Sequence, residues 1–322
     1  GYHLNSFLLH FFVAVLFYFI TLKLTQKTAF SFVAALFFAT HPVHVERITN
    51  MTATFDVFGI LFLLLAFFFY IIFSQKKNKN YFYLSIIFYI IALFSSEEAI
   101  TLILILFLYD FAFNYRINVS NAKLLFKKYL PYTAVTTFYL IVRFLVLHKI
   151  GRAESYFGQS FFGTFLTTTK IFAQYILILI FPYDITIERA VRFETTIFSI
   201  TFLISLLFLI FALFLFVKSY NKSKIIFFSI GWFFITLLPF SNLVPQFTIM
   251  ADRYLYLPSF GFVLFLAFLI LNIAKIKIDP IKRYSKHIII ILPLLIASFY
   301  VIVTIKTNSE WKDDFTLLSA NL

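Results

Sequence analysis

The chain has 322 residues, 62% hydrophobic and only 13% charged, about half the roughly 25% charged share of soluble domains. Fifty Phe residues would aggregate on any water-facing surface, which excludes a soluble globular domain; the apolar runs do not alternate with polar residues, which excludes a β-barrel and leaves helices. The net charge of +13 does not indicate a nucleic-acid binder, because the basic residues cluster in short segments between apolar runs, as in cytoplasmic loops of membrane proteins.

Taken in order, the chain opens at Gly1 without an initiator Met and runs straight into an apolar stretch. It reads as a fragment whose first segment is missing. The apolar runs predict about ten spans, at 5–22, 28–40, 53–74, 81–95, 98–113, 129–147, 194–217, 225–240, 254–274 and 288–305. A spanning helix needs about 20 residues, so the 28–40 run is expected to tilt or to be completed by its loop. A further stretch, 164–182, is apolar but carries Thr164, Thr167, Thr168, Lys170 and Gln174. If it does not cross, most of the 27 Lys and Arg residues fall in the inside loops 23–27, 76–79, 116–128, 218–224 and 275–286. If it crosses, the excess nearly vanishes. The positive-inside rule therefore makes 164–182 re-entrant or interfacial.

On that topology only Asp110 and Asp279 of the 14 acidic residues lie inside. Solvated loop surface accounts for such an asymmetry, and so does an extracytoplasmic catalytic face. The absence of cysteine removes disulfides and thiolate metal sites. No P-loop or G-x-G-x-x-G is present, so nucleotide binding in such a cradle is not expected.

Two polar knots interrupt the apolar pattern. The first is His41-Pro42-Val43-His44-Val45-Glu46, followed by Arg47 and, in the next helix, Asp56. The i, i+3 spacing of the imidazoles admits metal ligation; it equally suits histidines that cap and hydrogen-bond a chain turning back on itself. An ionised Asp56 needs a partner near hydrocarbon, and Arg47 is a candidate. The second knot is Asp252-Arg253-Tyr254-Leu255-Tyr256-Leu257-Pro258. Arg253 offers a planar fork suited to phosphate oxygens, whereas Tyr254 and Tyr256 also fit an aromatic belt. The two knots are expected to face each other across one site. Glu98, after Ser95-Ser96-Glu97, stands at the start of a helix, where the dipole favours negative charge. His3, Ser6 and His10 share one helix face, a polar stripe expected to point into the bundle.

These blocks resemble, in order and over nearly the whole chain, the transmembrane and tetratricopeptide-repeat family of GT-C-type glycosyltransferases that use lipid-linked sugars. The matching pieces are Gly1-Tyr2-His3-Leu4 with His10, the His-Pro-x-His-x-Glu block, Asp56, Ser96-Glu97-Glu98 and Tyr109-Asp110. They continue with Phe181-Pro182, Pro239 to Pro245, Asp252 to Phe262 and Trp311-Lys312-Asp313. Departures are local. The family's Gly-Arg-x-Asp reads Ala53-Thr54-Phe55-Asp56, and its Ser-Lys-Glu reads Ser96-Glu97-Glu98.

The resemblance implies an all-α GT-C-like transmembrane domain over 1–305. At 306–322 it implies the start of an extracytoplasmic, tetratricopeptide-repeat domain. It also places a first helix, and an outer loop carrying the main base, before Gly1. The implied activity is inverting transfer of a sugar, mannose above others, from polyprenyl phosphate to a protein or peptide Ser/Thr hydroxyl, in a bacterial inner membrane or an endoplasmic reticulum membrane. His41, His44, Glu46 and Asp56 are the expected catalytic-cleft residues. Arg253, with Asp252, Tyr254 and Tyr256, is the expected donor-phosphate site, and His3 and Glu98 are further outer-face candidates. A divalent cation, Mg or Mn, is compatible with this chemistry and not required by it. Two other classes carry intramembrane charge equally well: a secondary transporter, and an inactive membrane anchor for a repeat domain. A transporter predicts repeats and helices broken near the midplane; no repeat is visible here and most prolines fall at span ends.

Overall fold

The computed structural model describes residues 2–114, 122–148, 155–156, 160–183, 185–186, 189–273, 281–312 and 316. Several expectations lie outside these residues: those on Gly1, on the loop residues 115–121 and 274–280, on Glu154, Asp184, Glu188, Asp279, Asp313 and Asp314, and on most of the chain after Lys312. Among the described residues all regular structure is helical. The helices are α1 Tyr2–Thr25, α2 Thr28–Thr40, α3 Val45–Thr49, α4 Thr54–Lys76, α5 Lys79–Ser95, α6 Leu102–Tyr109, α7 Ala122–Leu147, α8 Phe161–Ile180, α9 Ile200–Lys222, α10 Lys224–Leu237, α11 Ser259–Ile273 and α12 Ile281–Glu310. Several expected starts move. Residues 194–199 are irregular with a turn at 197–198, so the next helix begins at Ile200; residues Asp252–Leu255 form a 3-10 turn, so the last-but-one helix begins at Ser259; and the helices expected from 129 and 288 begin earlier, at Ala122 and Ile281.

Among the described residues six helices are long and apolar enough to cross a membrane, and a seventh span arises if the bent pair Thr28–Thr40 and Pro42–Thr49 counts as one. Three shorter apolar helices accompany them. Large side chains cover the outward faces: Phe138, Leu145 and Val146 on α7, Ile204, Leu207 and Val217 on α9, Ile302 and Ile305 on α12. Such a surface is stable only against lipid, so this is a multi-pass membrane protein.

The interior is aromatic. Trp232 stacks on Phe260 at 4.3 Å between ring centroids, and Phe260 touches Phe17 and Phe38. Buried indole needs a hydrogen-bond acceptor; Trp232 Nε1 donates to Leu257 O at 2.9 Å and fixes α10 against the start of α11. The helices run as hairpins. α4 and α5 form the most extensive pair, turning at Lys77, which takes a left-handed φ of 57°, and at Asn78, whose side chain accepts from Asn80 N. Ser6 of α1 meets Thr54 of α4 at one end, while Gln75 of α4 reaches Lys23 O of α1 at the other. The two ends therefore differ in chemistry. Lys23, Lys27, Lys76, Lys77, Lys79, Lys218, Lys222 and Lys224 sit at or near the hairpin turns, and Arg47, Arg143, Arg189 and Arg253 with their carboxylate partners sit opposite.

α8 is inside-out for a helix at a water surface. Thr164, Thr167, Thr168 and Lys170 are buried, while Phe161, Phe162, Phe165 and Leu177 are exposed. The irregular residues after α8 meet its polar face through Arg192 and Glu194. Glu194 N donates to Thr167 Oγ1, and Lys170 donates to both Glu194 and the Arg192 carbonyl. Irregular backbone at membrane depth survives only when protein satisfies it in this way.

Close approach at the arginine end needs Gly59. A Cβ there would stand 2.5 Å from Ser96 Cβ and 2.9 Å from Ser96 N. Gly59→Ala is therefore expected to destabilise by about 1–3 kcal/mol, the cost of overpacking. Ser96→Gly in the same chain should restore part of the loss, measured by thermal unfolding of the purified protein. Equal stability of Gly59→Ala and wild type would mean the contact yields freely.

Candidate functional site

The first polar knot folds as a tight turn between α2 and α4. Pro42 cannot continue α2 with a donor, so the chain breaks at His41, whose Nδ1 accepts from Val43 N at 3.3 Å and caps the 3-10 turn Pro42–His44. The other nitrogen, Nε2, lies 3.2 Å from Leu179 O. A carbonyl only accepts, so His41 is neutral with its proton on Nε2, and both nitrogens are used. His10 is held the same way: Nε2 donates to Ala39 O and Nδ1 accepts from Tyr256 Oη at 2.8 Å. Ser259 Oγ donates to Tyr256 O, so it accepts from His44 Nε2 at 2.9 Å. His44 Nδ1 is buried without a hydrogen-bond partner.

His41 and His44, expected in the outer cleft, are buried, 2% and 1% exposed, and each closes a hydrogen bond between the turn and α8 or α11. Tyr256 is likewise buried against His10. Tyr254 stacks on Phe240 at 4.0 Å and donates to Thr248 O, so neither tyrosine is presented to a donor phosphate. His3 is exposed and lines a separate outer pocket with Thr49, Asn308 and Trp311.

The two knots do meet, through charge. Glu46 receives Arg253 twice: the backbone N at 2.7 Å and Nη1 at 2.6 Å. The neighbouring Arg47 is fully enclosed and binds Asp56 through Nη1 at 2.6 Å and Glu98 through Nη2. Arg47 Nε and Glu98 Oε2 are buried without hydrogen-bond partners. Asp252 is buried under the bidentate fork of Arg189, at 2.8 and 2.9 Å, and also accepts from Thr186 N. Arg143 reaches Glu97 at 2.9 Å. Beyond them, Lys170 and Thr201 hold Glu194, whose carboxyl falls from 4.5 to about 2 chiefly because Lys170 hydrogen-bonds it. One end of the bundle is thus a belt of arginine–carboxylate pairs, with α3 between Arg253 on one pair and Asp56 on the next.

Arg189 and Arg143 carry no local signal in sequence. Arg189 lies 63 residues from Asp252, and only the folded chain brings them together. Arg47 was legible as a partner for Asp56, but its enclosure by Glu98 was not.

α8, α9, α10 and α11 border a groove of about 290 Å³ whose lining is apolar but for Ser229, including Ile176, Ile180, Phe208, Phe233 and Phe262. Phe233 also belongs to the buried cluster of Ala251, Tyr254 and Leu255. Among the described residues no group of three or more His, Asp or Glu side chains is placed to hold a metal. Comparison with protein-family models, with curated proteins and with solved structures gives no match for this chain.

Breaking a buried ion pair strands a charge and costs about 3–5 kcal/mol. Arg47→Ala is expected to lose stability of that order, whereas Asp56→Asn, at a side chain 32% exposed, should cost under about 1 kcal/mol. Chemical unfolding of the two purified variants checks the ranking. Equal losses would show that Arg47 is not the centre of the belt.

Proposed function

We propose that this chain is the membrane domain of a GT-C-like, inverting glycosyltransferase. It would move a sugar, mannose above others, from polyprenyl phosphate to a protein Ser/Thr hydroxyl on the extracytoplasmic side. One observation carries the reading: among the described residues Arg253 is the most exposed of the four paired arginines, at 23% against 2% for Arg47 and 18% each for Arg143 and Arg189, and its neighbour Tyr254 shares a buried cluster with Phe233, which lines a mainly apolar groove. A guanidinium near an apolar groove suits a phosphate that carries a long hydrocarbon chain. Motif order over the chain supports the same family.

The chemistry follows from those parts. The acceptor hydroxyl oxygen attacks the anomeric carbon while a base takes its proton. The bond from that carbon to the phosphate oxygen breaks, and its electron pair leaves on the lipid phosphate. Arg253 would stabilise the growing negative charge, sharing its guanidinium between the phosphate and Glu46. Asp56, the more exposed of the two carboxylates bound to Arg47, would line the same cleft. His41, His44 and Tyr256 would position the two turns and touch no substrate. The closed pairing of Glu46 with Arg253 also suits a second reading, an inactive anchor held together by the same belt, and an activity assay separates the two.

The accompanying topology has ten crossing helices, with α3 in the outer turn and α8 along the arginine side. Its support is that Leu179 at one end of α8 meets His41, while Glu194 ties the other half of α8 to Thr201 in the first turn of α9. Because the chain has no cysteine, single cysteines report sidedness without background. Cysteines at Ser160 and Tyr183 should label from one side with an impermeant reagent, and cysteines at Lys77 and Ser309 from opposite sides. Labelling of Ser160 and Tyr183 from different sides would make α8 a span and overturn the topology.

Arg253→Lys tests the phosphate role. Lysine can keep a charge beside Glu46 but not a bidentate fork. A hydrogen bond to a charged group is worth about 1.5–3 kcal/mol, so transfer from polyprenyl-phosphate sugar by the full-length protein should fall roughly ten- to a hundredfold with the fold intact. Transfer at the wild-type rate with donor below saturation would reject the role.

A further inference from the structure

The lysine-rich end carries a second site, unrelated to the arginine belt. Asp110 lies there in a π-helical turn, Asp110–Asn114, that follows α6. Its carboxylate is surrounded: Tyr70 and Tyr129 donate at 2.6 Å, Lys128 at 2.7 Å and Asn114 Nδ2 at 2.7 Å. It therefore neutralises Lys128 and nothing further out. Beside this turn, the α9–α10 hairpin and the end of α6 border a polar pocket of about 560 Å³, with Asn114, Tyr220, Asn221 and Lys224 in its lining. Lys224 and Asn221 are exposed, and among the described residues no carboxylate lines the pocket.

A second pocket adjoins this one. Phe111, Tyr220 and Asn221 also line a mainly apolar crevice of about 520 Å³ that runs along α6 and α9 past Phe107, Val217 and Leu104. From Asn114 back to Leu104 is ten residues, about 15 Å of helix rise, a length that accommodates most of an acyl chain. A polar, positively charged mouth at the level of the lysine turns leads into a greasy crevice at membrane depth. Free phosphate would use the mouth and leave the crevice unfilled; a neutral lipid would use the crevice and gain nothing from Lys224. Basic pockets between helices on the positively charged side of a membrane protein are the physical setting for anionic headgroups.

We propose that α6 and the α9–α10 hairpin hold one anionic phospholipid from the leaflet on the lysine-rich side. Its phosphate meets Lys224, Asn221 and Tyr220, and its acyl chain lies against Phe107 and Val217. The site is independent of any transferase activity.

The test uses the full chain, purified and exchanged into mixed micelles containing phosphatidylglycerol or phosphatidylcholine, with bound lipid counted by native mass spectrometry. One phosphatidylglycerol per chain should persist where phosphatidylcholine is lost. A lysine near an anionic headgroup is worth about 1 kcal/mol, so Lys224→Gln should lower phosphatidylglycerol occupancy about fivefold. Lys79→Gln, at another turn of the same end, should leave it unchanged. Val217→Trp should expel the lipid by filling the crevice; if that variant misfolds, the comparison of Lys224→Gln with Lys79→Gln decides alone. Equal retention of the two lipids, or equal loss in both lysine variants, would reduce the site to diffuse surface charge and overturn the proposal. A crevice covered instead by a second copy of the chain, seen as a dimer mass without lipid, would overturn it as well.

Discussion

The structure at the arginine end depends on keeping Arg47 paired. A guanidinium with 2% of its surface exposed has no water to solvate it, and in a low-dielectric interior a lone charge is prohibitive. Asp56 from α4 and Glu98 from the turn after α5 must therefore converge on α3. That convergence fixes three separate pieces of chain around one cation and leaves Glu46, the preceding residue, pointing at Arg253. The second pair ties the α2–α4 turn to the α10–α11 turn. Asp252, beside it, takes Arg189 and secures the extended residues that follow α8. Each pair places the next, so the belt behaves as a chain of constraints rather than as scattered surface ion pairs.

The membrane gives this arrangement its cost and its purpose. Helix faces turned outward carry Phe, Ile and Leu, and the aromatic interior around Trp232 and Phe260 fills the bundle without strong polar groups. Hydrophobicity cannot choose among helix neighbours when lipid is as apolar as the core. Hydrogen bonds such as Trp232 to Leu257 O, Ser85 to Ala66 O and Tyr132 to Ser85, together with close contacts at Gly59 and Gly261, supply the selection. α8 follows the same rule in reverse. Thr167 and Lys170 are admitted because Arg192 and Glu194 cover them with matching partners.

The histidines show how a suggestive motif can serve architecture. Imidazoles at i and i+3 next to a glutamate invite a metal or a catalytic reading. Here His41 caps a turn and clamps α8, His44 binds Ser259, and His10 holds Tyr256. The glutamate of the same motif goes to Arg253. Functional chemistry at this end, on the reading proposed, belongs to the carboxylates and arginines, with the imidazoles and Tyr256 setting the turns in register.

The sequence by itself determined that the protein is helical and spans the membrane several times, because hydropathy is a local property and a hydrocarbon slab permits only closed hydrogen bonding. It also marked the two polar knots and the pairing of Arg47 with Asp56, nine residues apart. Tertiary structure alone decided which carboxylate meets which arginine elsewhere. Glu46 and Arg253 are 207 residues apart, Arg47 and Glu98 are 51 apart, and Arg189 and Asp252 are 63 apart. Nothing in local composition distinguishes those partners from other acids and bases at the same depth. The burial of His41, His44 and Tyr256 was equally out of reach, since a histidine at a turn reads the same whether it faces a cleft or a neighbouring helix. Only the position of α8 and α11 against the turn settles that, and that position follows from side chains packing across the whole bundle.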